Sequence, residues 1–133
     1  MGQWLQEQQF APSLILSSPA QRAKQTALAV ADAMGLAVDR IQLNKDLYLA
    51  DRPTLLHILH SVPEQMESVL LVAHNPGLDD LVEWLAPEPP PLSESGKLMT
   101  TAAIAIFSVP EPWSKLHRNT ASLRQLQRPK ELA

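Results

Sequence analysis

The sequence predicts an α/β domain built on a largely parallel sheet. Two observations carry that prediction. Two short apolar runs, "SLILS" (13–17) and "SVLLVA" (68–73), are each followed by a proline-marked helix start. Strand-like and helix-like segments then alternate along the chain, as in βα units rather than in a sheet built of hairpins.

Taken in order, residues 3–10 read as part of a helix with Trp4, Leu5 and Phe10 on its inner side. This helix lacks the Ser, Thr, Asp or Asn that normally marks a start. "SLILS" is the first strand. In "SPAQRAKQTALAVADAMG" (18–35), Ser18 suits an N-cap, Pro19 the first helical position, and Gln21, three residues after the cap, completes a capping box. Ala and Leu carry the helix to Met34, and Gly35 ends it. "AVDRIQL" (37–43) alternates apolar and polar residues and reads as a strand near an edge. "PTLLHILHS" (53–61) is a short helix. "SVLLVA" shows almost no polar alternation and reads as a strand buried on both faces. Asn75-Pro76 repeats the Ser18-Pro19 grammar, and Asp79 and Asp80 fall in the first turn of the next helix, which runs to about Leu85. "APEPPPLSESG" (86–96) is an extended surface loop. "MTTAAIAIFSV" (99–109) and "ASLRQLQ" (121–127) are the last two strands.

Composition narrows the function classes. The chain has 133 residues, the length of one domain able to bury a conventional core. A net charge of −3 argues against a nucleic-acid binder, which needs a basic stripe. With no cysteine there is no disulfide, thiolate chemistry or cysteine-based zinc site. No apolar run approaches membrane-spanning length, and "MGQWLQEQQF" lacks the basic-then-apolar pattern of a leader. The expected setting is cytoplasmic.

Chemistry concentrates at the two strand-to-helix junctions. Each places free helix N-terminal amides beyond a strand's carboxyl end, where α/β sheets collect ligands and where anions are favoured. Arg22 lies about one turn into the first helix, and its guanidinium can hold two oxygens of a phosphate. His74 ends the second strand. Alone, Arg22 reads as a solvated helix residue and His74 as a capped strand-end histidine. The joint pattern points to an anion site. His57 and His60 stand three apart on one helix with no third metal ligand nearby, so each reads as solvated or at a rim, and His117 reads as loop surface. Trp4, Trp84 and Trp113 read as core or core-edge residues.

Across nearly the whole chain, and in the right order, the sequence resembles the histidine phosphatase superfamily, specifically the small SixA-type phosphohistidine phosphatases. The resemblance is carried by "LILSSPAQRAKQTA" (14–27) and "VLLVAHNPGL" (69–78), and more weakly by "DLYLA" (46–50), "TTAAIAIF" (100–107) and "RPKEL" (128–132). It implies a three-layer α/β fold of the phosphoglycerate mutase-like kind, mostly parallel, with helices on both faces. It also implies a mechanism: a histidine of an Arg-His pair attacks phosphorus, a second histidine and two arginines bind the phosphoryl oxygens, and water hydrolyses the intermediate. No metal or cofactor is needed. Carried over, Arg22 matches the second arginine and His74 the second histidine, the two catalytic candidates. Ser18, Asn75 and Thr101 join them as phosphate-binding candidates. Tyr48 and Leu49 occupy the stretch where the larger family often has a carboxylate acid, so no acid is assigned. The implied partner is a phosphorylated protein, a phosphotransfer domain being one candidate, with neither nucleic acid nor membrane.

One departure is decisive. His57, His60, His74 and His117 are the four histidines, and none follows an arginine. The expectation is therefore a single histidine-phosphatase-like domain over 1–133 that is N-terminally truncated, with the first central strand and its nucleophile missing. By analogy with serine proteases, loss of the nucleophile costs on the order of a millionfold in rate. Unpaired strand edges, at about 1–3 kcal/mol per orphaned buried group, are large against a margin of about 5–15 kcal/mol. The chain is expected to form a homodimer through those edges or to repack around the gap. The competing reading is a catalytically dead module that binds phosphate or a phosphoprotein.

Overall fold

Strand β1 (Leu14–Ser17) is buried along its whole length. The computed structural model describes Trp4, residues 11–100 and residues 103–129. The expected helix over 3–10 falls outside the described residues except for Trp4, which is helical and half-buried. Chain contacts group into two units, Met1–Ala50 with Glu64–His74, and Asp51–Pro63 with Asn75–Ala133.

In the first unit, β1 lies between β2 (Ile41–Leu43) and β3 (Val69–Val72), and both pairings are parallel. Ile15 pairs with Ile41 on one side and with Leu70 on the other. Parallel strands need a crossover, and α1 (Gln21–Ala33) supplies the one from β1 to β2. Its buried face is Ala23, Ala27, Val30 and Ala31, small residues at helical spacing. They let the helix sit close on the sheet, where Ile15, Ala27 and Ala31 are joined by Leu36, Ile41, Leu70 and Val72. Gly35, at φ +67°, ends the helix region as expected. Ser68 fixes the start of the ladder: its carbonyl and hydroxyl accept the Ser13 N–H at 3.0 and 3.1 Å.

Three expectations need correction here. Helix α1 begins at Gln21 with Ala20 as its N-cap, so Ser18 is not the cap, Pro19 precedes the helix and Gln21 does not complete a capping box. The "AVDRIQL" strand is shortened, because Val38–Arg40 form a 3-10 turn and only Ile41–Leu43 pair. β3 is half-buried throughout rather than buried on both faces, because it has a strand neighbour on one side only among the described residues.

The second unit holds α2 (Arg52–His60), α3 (Gly77–Leu85) and an antiparallel pair, β4 (Ile104–Ser108) with β5 (Ser122–Gln127). Leu55, Ile58 and Leu59 of α2 and Leu81, Val82 and Leu85 of α3 are its buried helix residues. Arg52 bridges the two helices, 3.3 Å from Asp80 and 5.0 Å above the Trp84 ring. Arg128, only 4% exposed, donates to the carbonyls of Leu98 and Pro91 and so pins the proline-rich loop. No helix among the described residues is long and apolar enough to cross a membrane.

Two stability predictions follow from these contacts. Ile15→Ala removes the centre of the first unit's core and should cost about 2–5 kcal/mol in urea denaturation. Asp51 caps α2 through the Thr54 N–H at 3.0 Å. The Thr54 side chain first, then its backbone N–H, hold the Asp51 carboxyl below its ordinary value. Stabilisation from this cap is present above the usual aspartate range and fades as pH falls through the lowered value. Melting temperatures of wild type and Asp51→Ala, compared across acidic pH, should converge as Asp51 protonates. A constant gap would rule out this coupling.

Candidate functional site

The parallel ladder does not stop with the strands. Ser18 N–H donates to the Val72 carbonyl at 2.9 Å, which carries the β1–β3 pairing one residue past β1. The two strands therefore release their chains side by side at their carboxyl ends, where ligands gather in sheets of this kind. Ser18 Oγ lies 2.8 Å from His74 Nε2, a contact between residues 56 apart in sequence. Ser18 is 0% exposed, and its Oγ also accepts the Ala20 N–H at 3.2 Å. His74 is half-buried.

The third strand end adds a wall. Asn44 N–H donates to the Ser17 carbonyl at 3.0 Å, and the Asn44 side chain accepts the Asp46 N–H at 2.9 Å, which starts a 3-10 turn over Lys45–Leu47. Leu47 is wholly buried and anchors that turn. Tyr48 follows it with its ring 5.5 Å from the His74 ring at an interplanar angle of 79°, an edge-to-face contact. Tyr48 stays 57% exposed. Leu49 beside it takes a positive φ of 50°, a conformation that non-glycine residues adopt at a cost.

Arg22 is the second residue of α1, nearer the helix start than its expected place a turn in, and it is exposed. Its guanidinium has no ion pair among the described residues. The structure thus brings Ser18 and His74 into contact and puts Arg22 on the first turn of the helix that Ser18 leads into. Asn75 belongs to the second unit, where its Oδ1 accepts the Asp79 N–H at 3.0 Å and its Nδ2 donates to the Met99 carbonyl at 3.0 Å. Pro76, rather than Asn75, is the N-cap residue of α3. Thr101 lies outside the described residues. Tyr48 is a ring contact that the sequence signals only by its place in "DLYLA".

The remaining histidines are engaged elsewhere or exposed. His60 Nε2 is 2.6 Å from the Leu116 carbonyl, His117 packs on Trp84 with ring centroids 5.1 Å apart, and His57 is exposed. Among the described residues no group of three or more His, Cys, Asp or Glu is placed to hold a metal ion.

No protein-family model matches the chain, and no curated protein matches it. Solved structures do. The protein histidine phosphatase SixA complexed with tungstate is 27% identical, with a TM-score of 0.79 over 99% of this chain and 78% of that one. A structure named SixA from Nakamurella multipartitia is 23% identical, with a TM-score of 0.77 over 96% and 77% of the two chains. Its counterpart from Agrobacterium tumefaciens is 24% identical, with a TM-score of 0.73 over 96% and 75%. The α/β fold expected from the sequence is thus the SixA fold, and the resemblance to SixA-type histidine phosphatases holds.

The two bonds made by Asn75 are separable. Asn75→Ala removes both and should cost about 1–2 kcal/mol, with faster amide exchange at Asp79. Asn75→Asp keeps the acceptor and should lose less than half of that. Equal losses would place the whole effect in the Met99 contact.

Proposed function

We propose that this chain, SixA-like in fold, is the phosphate-binding body of a phosphohistidine phosphatase, one histidine-phosphatase-like domain over residues 1–133. Its substrate is a phosphohistidine carried by a protein, such as a phosphotransfer domain, in the cytoplasm. The carrying observation is the Ser18–His74 contact at the carboxyl ends of adjacent parallel strands, with Arg22 on the first turn beyond. Tungstate, bound to the similar SixA, is a tetrahedral oxyanion like phosphate, which supports an anion at this place.

In this reading Arg22 and His74 bind the phosphoryl oxygens and neutralise the charge that builds on them during transfer. Ser18 supports this pair through its bond to His74. The attacking imidazole forms a P–N bond as the P–N bond of the substrate breaks. Water then attacks phosphorus, and phosphate and the free imidazole result. That attack requires the Arg-His pair, which the 133 residues do not contain. The chain alone is therefore inactive, and a segment or chain outside these residues supplies the nucleophile. The same absence favours a second reading, a phosphate- or phosphoprotein-binding module without turnover.

Calorimetry and a phosphohistidine hydrolysis assay separate the readings. The 133-residue chain should bind tungstate and hydrolyse nothing, and Arg22→Ala should weaken tungstate binding by at least about tenfold. A chain extended upstream to include an Arg-His pair should hydrolyse phosphohistidine. Turnover by the 133 residues alone would sink the claim about the nucleophile. An extended chain that binds tungstate without turnover leaves the binding module.

The proposal has an assembly component. Val69–Val72 is apolar at every position yet half-buried, and its outer edge has no strand partner among the described residues. Such edges pair with further strands, and a second copy is the proposed partner. Sedimentation should show a dimer that dissociates when Leu71 is replaced by Pro, which cannot donate to a ladder. A monomer at micromolar concentration with one cooperative unfolding transition would refute the dimer.

A further inference from the structure

The His74 ring carries an inference about which of its nitrogens meets a ligand. Ser18 Oγ has one hydrogen and two lone pairs. One lone pair is taken by the Ala20 N–H at 3.2 Å, and the hydroxyl faces His74 Nε2 at 2.8 Å. Ser18 is 0% exposed, so water does not reach it to complete its bonding. If the neutral ring carried its proton on Nε2, that N–H would donate to Oγ and the serine hydrogen would be left without an acceptor in a buried place. Proteins avoid such orphans. With the proton on Nδ1, the serine hydrogen goes to Nε2 and every group at the contact is satisfied. Tyr48 meanwhile packs edge-to-face against the ring and restrains its plane.

We propose that Ser18 is a positioning residue that holds His74 in the Nδ1–H tautomer, so that Nδ1–H is the donor His74 presents to an oxyanion. Ser18 does not itself touch the anion, since its hydrogen and a lone pair are spent on His74 and Ala20. Its part in phosphate binding is exerted through the imidazole. This deepens, and for its ligand rests on, the phosphate-binding reading of the site. The tautomer itself is independent of that reading.

The test is long-range proton–nitrogen NMR of the 15N-labelled chain on the alkaline side, where a neutral imidazole reports its tautomer directly. Comparison with His74→Gln assigns the signals. Wild type should show a protonated Nδ1 and an unprotonated Nε2. Ser18→Ala should shift the ring toward the Nε2–H form that free imidazoles in water prefer. Ser18→Thr, which keeps the hydroxyl, should retain Nδ1–H. Tungstate titration followed on the same signals should perturb Nδ1 more than Nε2. Its affinity should fall about tenfold in Ser18→Ala, the worth of roughly one hydrogen bond, and recover in Ser18→Thr. An Nε2–H tautomer in wild type overturns the proposal even if Ser18→Ala fails to fold, and so does an unchanged tautomer in Ser18→Ala. The expected tautomer with no tungstate binding overturns the phosphate-binding reading and with it the ligand role of Nδ1, while the Ser18–His74 assignment is upheld.

Discussion

The parallel ladder between β1 and β3 sets Ser17 opposite Val72 and continues through the Ser18 N–H bond to the Val72 carbonyl. Every feature of the candidate site depends on that register. A slip by one residue would turn the side chains of β3 to the opposite face and carry His74 away from Ser18. The register is held at its start and in its middle. Ser68 binds the Ser13 N–H through backbone and hydroxyl at the start. In the middle, Ile15 is wholly buried against Ala27 and Ala31, with Leu70 and Val72 packed beside them. A polar contact at the strand ends is thus aligned by apolar burial two to four residues upstream.

The same logic explains the third wall of the site. β2 is short, and its pairing is extended by the Asn44 N–H bond to the Ser17 carbonyl. The Asn44 cap and the buried Leu47 then turn the chain so that Tyr48 meets the His74 ring. Ser17 and Ser18 are both wholly buried, and both have their hydroxyls bonded, Ser17 to the Ser18 carbonyl. Burial of polar groups is tolerated only where their bonds are made. The strand ends are accordingly the least replaceable part of the first unit, and the exposed Arg22 is the part most open to a ligand.

The sequence made some of this legible and concealed the rest for physical reasons. Short apolar runs report burial directly, so β1 and β3 were visible, and the positions of Pro19 and Pro76 announced the turns after them. His74 stood out because an ionisable ring at the end of an apolar run is costly without a purpose. The partner of His74 was not visible, since Ser18 lies 56 residues away and no local pattern encodes that distance. Helix α1 misled because Ser18-Pro19 is good capping grammar and the Ser18 hydroxyl does accept the Ala20 N–H as a cap would, yet the regular helix starts only at Gln21, and the same hydroxyl also meets His74. Tyr48 gave no signal because its one ring contact is with a histidine distant in sequence, and it stays exposed. Arg128 entered only through "RPKEL", and nothing local in the sequence shows that it is buried and bonded to two carbonyls across the proline-rich loop.

The half-burial of β3 has more weight than a missed detail. Val69, Leu70, Leu71 and Val72 are apolar on both faces, a composition suited to the interior of a parallel sheet, yet the strand sits at an edge among the described residues. Natural sequences rarely disagree with their own fold at one place, and where they do the place tends to be functional. Here the disagreement and the candidate site coincide, because β3 runs directly into His74. A parallel strand laid on the open edge of β3 would lie roughly 5 Å away and would end beside His74. In the proposed reaction, the group that attacks phosphorus must stand next to the groups that bind its oxygens. Completing the sheet and completing the chemistry then become one structural event. A strand from outside these residues, laid there in place of a second copy, would be positioned to bring the attacking imidazole to the anion proposed to sit at Arg22 and His74.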